Sequence, residues 1–172
     1  LLANTTADNN TAVGRDALTA NTTGSENVAI GNQALDANTT GASNTAVGRQ
    51  ALTAATTANA NTAVGEVAMA ANTTGQFNVA VGANALDANT TASGNVAVGY
   101  ASLGANTTGA ANVAVGKEAL FTVTGASNNT AVGNQALYYN AGGSNVGVGS
   151  GALAANTTGS QNVAVGANAL DA

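Results

Sequence analysis

The apolar positions of this chain recur at a fixed step. The string Asn-[Val/Thr]-Ala-[Val/Ile]-Gly appears ten times, with Gly147 once in place of the Ala. Its closing Gly falls at 14, 31, 48, 65, 82, 99, 116, 133, 149 and 166. The step is 17 residues, shortened to 16 only between Gly133 and Gly149. Asn stands four positions before each Gly, from Asn10 to Asn162, and Leu four positions after it, with Met69 as the one substitute; Leu1 falls in the same register. In Val28-Ala29-Ile30 the β-branched residues alternate with Ala, the period of a strand. Leu35 and Ala37, again two apart, predict a second short strand, and the Gly, Asn and Thr between these pieces are turn formers. A 17-residue unit is too short for a pair of packed helices, whose repeats run to about 33–47 residues. The expected unit is one coil of two short strands, and stacked coils pair their strands in parallel at about 4.8 Å. The fold class is therefore all-β: a parallel β-solenoid of ten coils of 17 residues, a rod on the order of 50 Å long.

The pleat assigns side chains to faces. Val13, Ile30 and Val47 are expected inside, with Leu18, Leu35 and Leu52, and the residues two before each Val (Thr11, Val28, Thr45, Thr62) inside but near a coil edge. Each buried Val or Leu contributes about 1.5–3 kcal/mol, and a coil can bury its apolar face only against its neighbours. The Ala between the Val positions then faces outward. A solvent-facing site has no reason to stay so small, and its constancy points to close approach by another chain. The Gly after each Val is expected at positive φ, at a corner. The recurring Asn is placed to bond its amide to the coils above and below. Asn27, Gly31, Leu35, Asn44, Gly48, Leu52, Asn78, Gly82 and Leu86 represent this structural ladder.

Composition narrows the function. Only 6 % of residues are charged and 3 % aromatic, and Cys, His, Pro and Trp are absent. Ordinary globular chains carry about 25 % charge, so amides and hydroxyls keep this surface polar. A net charge of −5, with Arg15, Arg49 and Lys117 the only bases, excludes the electrostatic footprint of a nucleic-acid binder. No apolar run approaches the roughly 18 residues of a membrane span, so this segment is not expected to insert in a membrane. Without His or Cys the common general bases and nucleophile pairs are missing. The eight acids, Asp8 to Asp171, are read as lying at variable phases, which excludes a Ca²⁺ repeat with an acid at the same turn of each coil. The chain is read as no enzyme, with no cofactor and no metal. It begins and ends inside a repeat, and residues 1–172 are read as a single domain cut from a longer fibre.

At this point the strings Asn-Val-Ala-Val-Gly and Asn-Thr-Ala-Val-Gly resemble the head repeats of trimeric autotransporter adhesins of the YadA type. The longer unit, as in Asn-Thr-Ala-Val-Gly-Asn-Gln-Ala-Leu (129–137) and Ala-Asn-Thr-Thr-Gly (20–24), is similar to repeats of bacterial and phage tail-fibre-like proteins, which often end in a self-cleaving chaperone domain. The resemblance spans the whole chain. It implies a left-handed parallel β-roll with three chains around an axis, acting as a shaft or platform. Repeats of the adhesin type are shorter than the unit found here, so the added residues enlarge one turn.

Three features are candidates for function. Asn4, Asn21, Asn38, Asn72, Asn89, Asn106 and Asn156 open Asn-Thr-Thr acceptor triplets at one phase, and Asn9 and Asn128 open others. They read either as a glycan-bearing edge or as turn chemistry that needs no glycan. Thr22, Thr23 and their equivalents form a Thr ladder, which opens an ice- or surface-binding reading, although they are adjacent and lie in a turn. Residues 117–145 are irregular: Phe121 and Tyr138 share a phase and should stack, Tyr139 lies beside them, Val123 replaces the usual Asn, and the one-residue deletion follows. That region reads as a contact for a receptor or sugar, since aromatic faces suit such ligands, or as a local repacking of the rod.

The reading these features support is an extracellular, cell-surface or virion-associated fibre segment, the shaft or head of a surface adhesin or tail fibre. It assembles as a homo-oligomer, a trimer, and meets a host-surface receptor or glycan. The alternatives are a self-assembling extracellular filament whose solenoid ends stack head to tail, and an ice- or surface-binding solenoid.

Overall fold

The computed structural model of the chain describes residues 2–171, so Leu1 and its place in the Leu column lie outside the described residues. Ten three-residue strands follow one another: β1 (Thr11–Val13), β2 (Val28–Ile30), β3 (Thr45–Val47), β4 (Thr62–Val64), β5 (Val79–Val81), β6 (Val96–Val98), β7 (Val113–Val115), β8 (Thr130–Val132), β9 (Val146–Val148) and β10 (Val163–Val165). They form one parallel sheet in sequence order, each strand pairing only with the coil before and the coil after. Equivalent residues face each other throughout, as Val79↔Val96, Ala80↔Ala97 and Val81↔Val98 do between β5 and β6. The chain is a parallel β-solenoid, and each coil contributes one rung.

Each coil holds one strand where two are expected. The Leu segment is a tight turn in which positive φ alternates with ordinary backbone: Gln33 at 58° and Leu35 at 50°, Asn84 at 55° and Leu86 at 53°. L-residues occupy this region at a cost of about 1–2 kcal/mol each, and the stacking holds them there. Gln33 N–H donates to the Arg15 carbonyl of the coil before, and Leu35 N–H to the Ala51 carbonyl of the coil after, at 2.9 and 3.1 Å. Each turn is thus clamped from both sides, and its backbone polar groups are satisfied without a second sheet. Turning back so sharply also drives the Leu side chain into the interior, where Leu18, Leu35, Leu52, Leu86, Leu103, Leu120 and Leu137 are all fully buried.

The turn decides which face of the strand is inside, and it reverses the assignment drawn from the pleat. The central Ala is the interior residue: Ala29, Ala46, Ala63, Ala80, Ala97, Ala114 and Ala131 have no exposure. The flanking Val and Thr point outward, with Val13 57 % and Ile30 40 % exposed. The strand wall and the Leu turn face each other across a very thin core, and the Leu side chains fill it. Only a methyl group fits opposite them. At Gly147, the one coil without it, an added Cβ would stand 3.2 Å from Leu137 Cγ. The constant small residue therefore reflects a narrow interior, and the inference of an approaching chain at that position falls.

The corner glycine behaves as expected. Gly99 has φ of 129°, and a Cβ on it would lie 2.5 Å from the Gly116 carbonyl oxygen of the next coil. Both the backbone conformation and the close stacking require its missing side chain.

Candidate functional site

Two buried amide columns run along the rod. In the first, the Asn before each strand accepts at Oδ1 from the backbone N–H of its successor: Asn27 to Asn10 at 2.9 Å, Asn44 to Asn27 at 3.0 Å, and onward to Asn162 on Asn145 at 2.9 Å. Its Nδ2 donates into the neighbouring turn, as Asn44 does to the Ala58 carbonyl at 2.7 Å. The column crosses the deletion intact, Asn145 N–H reaching Asn129 Oδ1 at 2.9 Å. The missing residue is taken up in the turn, where Asn140 Nδ2 bonds Gly142, two residues on, instead of the usual third.

The second column contains the Asn of the Asn-Thr-Thr triplets. Asn21, Asn38, Asn72, Asn89 and Asn106 have no exposure. Each donates Nδ2 to the carbonyl three residues on, as Asn38 does to Gly41 at 3.0 Å and Asn89 to Ala92 at 3.1 Å. Asn38 Nδ2 also donates to Asn21 Oδ1 at 2.8 Å, Asn89 to Asn72 at 2.9 Å, and Asn106 to Asn89 at 3.3 Å. The nitrogen that would carry a glycan is therefore buried and bonded at these five positions in the folded chain. Asn156 is half-buried and bonds Asn140 and Gly159, and Asn4 is exposed while donating to Ala7. The column stops where the sequence breaks it. Asn38 Oδ1 and Asn106 Oδ1 are buried without a partner, and the next coil holds Ala55 above the one and Val123 above the other.

The first Thr of the triplets from Asn4 to Asn106 is also engaged. Thr22 Oγ1 donates to the Thr39 carbonyl at 2.9 Å, and Thr39, Thr73 and Thr107 repeat the bond. These hydroxyls tie coils together, while the second Thr, as at Thr23 and Thr40, is exposed.

The aromatic residues of the irregular stretch come together. Phe121 and Tyr138 stack with ring centroids 5.4 Å apart and planes 27° from parallel, and Tyr139 meets Tyr138 edge-on at 4.6 Å. Phe121 also borders an open cavity of about 280 Å³, whose other walls include Asn84, Asp87, Tyr100, Ala101 and Gly104. The position after each Leu forms a column, and three consecutive coils fill it with Asp87, Gly104 and Phe121. The absent side chain at Gly104 opens a notch between the other two, whose coils lie about 10 Å apart. At Asp36 the column is closed: Thr53 fills the coil above it and donates its hydroxyl to Asp36 Oδ1 at 2.7 Å. With Gly104 above it, Asp87 has no side-chain hydrogen-bond partner among the described residues. Burial pushes its carboxyl above the ordinary value of 3.8, and the backbone amides of Asp87 and Ala88 pull it back part of the way.

Asn84, Asp87, Tyr100 and Gly104 were not singled out from the sequence. A signal was there. Asp36, Asp87 and Asp171 share the phase after Leu, contrary to the reading of scattered acids, and Gly104 alone is glycine in that column. The three basic residues each pair with an acid at the surface, Arg15 with Asp16, Arg49 with Glu66 and Lys117 with the half-buried Glu118, and such pairs contribute about 0–1 kcal/mol. Among the described residues no group of three or more His, Cys, Asp or Glu could hold a metal ion, and no helix is long and apolar enough to cross a membrane.

No family model matches the chain, and no curated protein and no solved structure matches it either. Fold and surface define its class directly: a repetitive structural protein of the parallel β-solenoid type. Adhesin-head and tail-fibre repeats are consistent with that fold, which is not specific to them.

Proposed function

We propose that this chain is a segment of an extracellular, cell-surface or virion-borne fibre, the shaft or head of a surface adhesin or tail fibre, and that it assembles as a homotrimer through the outer face of its sheet. The observation that carries this reading is the outward Val and Thr of all ten strands. Val81, Val115 and Val132 are 36–37 % exposed, although each lies inside an unbroken sheet with a strand on either side. The two outward columns, about 7 Å apart along each strand and about 43 Å long, make an apolar strip on the order of 400 Å². That is the size of the largest patches on soluble monomers, which are often interaction sites. A stable interface needs about 800 Å² per partner. A chain that packs against two others through the strip and its flanks reaches that area, and a lone chain leaves the strip wet. The mechanical role follows from the ladders: every coil is bonded to the next through strand, turn and buried amide, so the rod resists bending and local opening.

Sedimentation equilibrium on the purified chain tests the reading. A trimer is the expected result, and a monomer at every concentration overturns it. A second reading has one observation in its favour: Thr45 and Val47, and Thr62 and Val64, stand two apart on the outward sheet face, the spacing that the Thr of the turns lack. An ice-binding surface there would produce thermal hysteresis in the same preparation, and its absence would dismiss that reading.

A further inference from the structure

We propose that the notch over Gly104 is a binding site for one pyranose ring of a neutral saccharide. The inference rests on the adhesive half of the fibre reading, to which it gives a ligand class. Its basis is the break in an otherwise monotonous surface. One coil omits a side chain, the coil below presents a carboxylate and an amide at the gap, and the coil above presents an aromatic ring.

The chemistry of the walls is that of sugar recognition. A pyranose has an apolar face of C–H groups and a rim of hydroxyls. The ring of Phe121 leans over Gly104: a Cβ built on Gly104 would lie 3.0 Å from Phe121 Cε2. It is held there by its stack on Tyr138 and offers an apolar surface of fixed orientation to the C–H face. Asp87 and Asn84, one coil below, supply acceptors and a donor for hydroxyls, and Tyr100, half-exposed at 51 %, adds a phenol at the side. The cavity of about 280 Å³ lies just under the roughly 300–1,000 Å³ of drug-sized sites, which suits a single ring. Asp87 carries no side-chain partner, whereas Asp36 in the same column is tied to Thr53. A carboxylate that meets only the backbone amides of Asp87 and Ala88 keeps lone pairs with which to accept from a ligand hydroxyl.

The test uses the whole purified chain with four probes: the methyl glycosides of glucose, galactose, mannose and N-acetylglucosamine. Saturation-transfer NMR and calorimetric titration read binding. At least one glycoside is expected to bind, with shifts of the Tyr100 and Phe121 ring resonances. Gly104→Thr brings a hydroxyl to Asp87 as Thr53 does to Asp36, and its Cβ, 3.0 Å from Phe121 Cε2, also pushes the aromatic wall aside. Asp87→Ala copies Ala70 in the same column and removes the acceptor. Hydrogen bonds to charged groups justify an expected loss of at least about tenfold in affinity for each. Both variants install residues that other coils already carry, and a circular-dichroism melt verifies folding; if one fails to fold, the other decides. No transfer to any of the four glycosides, or binding that the folded variants leave unchanged, overturns the proposal. Sedimentation of the same sample separates the two ideas: a trimer that binds no sugar ends this proposal and spares the fibre, and a monomer that binds sugar does the reverse.

Discussion

Replacing Ala55 by Asn is expected to stabilise the rod, and the reason lies in two atoms. The second amide column is interrupted at Ala55, which is fully buried. On one side Asn38 Oδ1 is buried with no partner. On the other, Asn72 Nδ2 donates only to the Gly75 carbonyl at 3.0 Å. An amide at position 55 would donate to Asn38 Oδ1 and accept from Asn72 Nδ2, joining the short column of Asn21 and Asn38 to that of Asn72, Asn89 and Asn106. Its own turn can accommodate it. The carbonyl three residues on belongs to Ala58, and the coil of Asn89 and Ala92 makes that bond at 3.1 Å. An unsatisfied buried acceptor costs about 1–3 kcal/mol, and a new internal hydrogen bond contributes about 0.5–1.5 kcal/mol net. Ordering the added side chain offsets part of this. The net gain is about 1–3 kcal/mol, which at this chain length raises Tm by about 2–4 °C per kcal/mol. Thermal melts of Ala55→Asn, of Asn38→Ala and of the double variant measure it. In the Asn38→Ala background the gain should shrink by about 1 kcal/mol, since half of the new bonding is lost. An unchanged or lower Tm for Ala55→Asn, or the same gain with and without Asn38, would refute the bonding scheme.

Other outcomes follow from the same geometry. Ala97→Val overfills the thin core and should cost about 1–3 kcal/mol, while Val98→Thr on the outer face should change monomer stability by under about 0.5 kcal/mol; chemical denaturation compares them, and the opposite ranking would restore the outward Ala. Leu86→Ala should cost about 2–5 kcal/mol in the same assay. Val81→Lys together with Val115→Lys should convert the proposed trimer to monomers with an unchanged far-UV spectrum, as read by light scattering and circular dichroism; an intact oligomer would place the interface elsewhere. For Asp87, burial raises the folded-state pKa above 3.8, so the folded chain binds the proton more tightly than the unfolded one. Its contribution to stability is complete below the ordinary carboxylate value and is lost as pH rises through the folded value. Asp87→Asn should therefore melt above the parent at pH 7, with the advantage gone once pH falls below about 3.8; a gap that is constant with pH would contradict the assigned burial.

Much of this architecture is written in the spacing. The step of 17 forces coils, β-branched residues at period two force a strand in each, and equal spacing forces the in-register parallel sheet. The Gly after each strand and the Asn before it could be given their roles because those roles need particular chemistry: a residue without Cβ at a stacked corner, and an amide that can bond along the stack. The stack of Phe121 on Tyr138 was legible because a shared phase in consecutive coils means contact. Three things were decided only in three dimensions. Alternation of Val and Ala gives the period of the pleat but not its phase, because both residues are apolar. The phase was set when the Leu turn folded back and left room for no more than a methyl group. The second strand became a turn because a backbone of alternating hand satisfies its hydrogen bonds through the neighbouring coils as fully as a second sheet would. The notch over Gly104 exists because residues 17 apart in sequence are neighbours in space. An absent side chain there means little along the chain, and becomes a cavity only when Asp87 and Phe121 stand on either side of it.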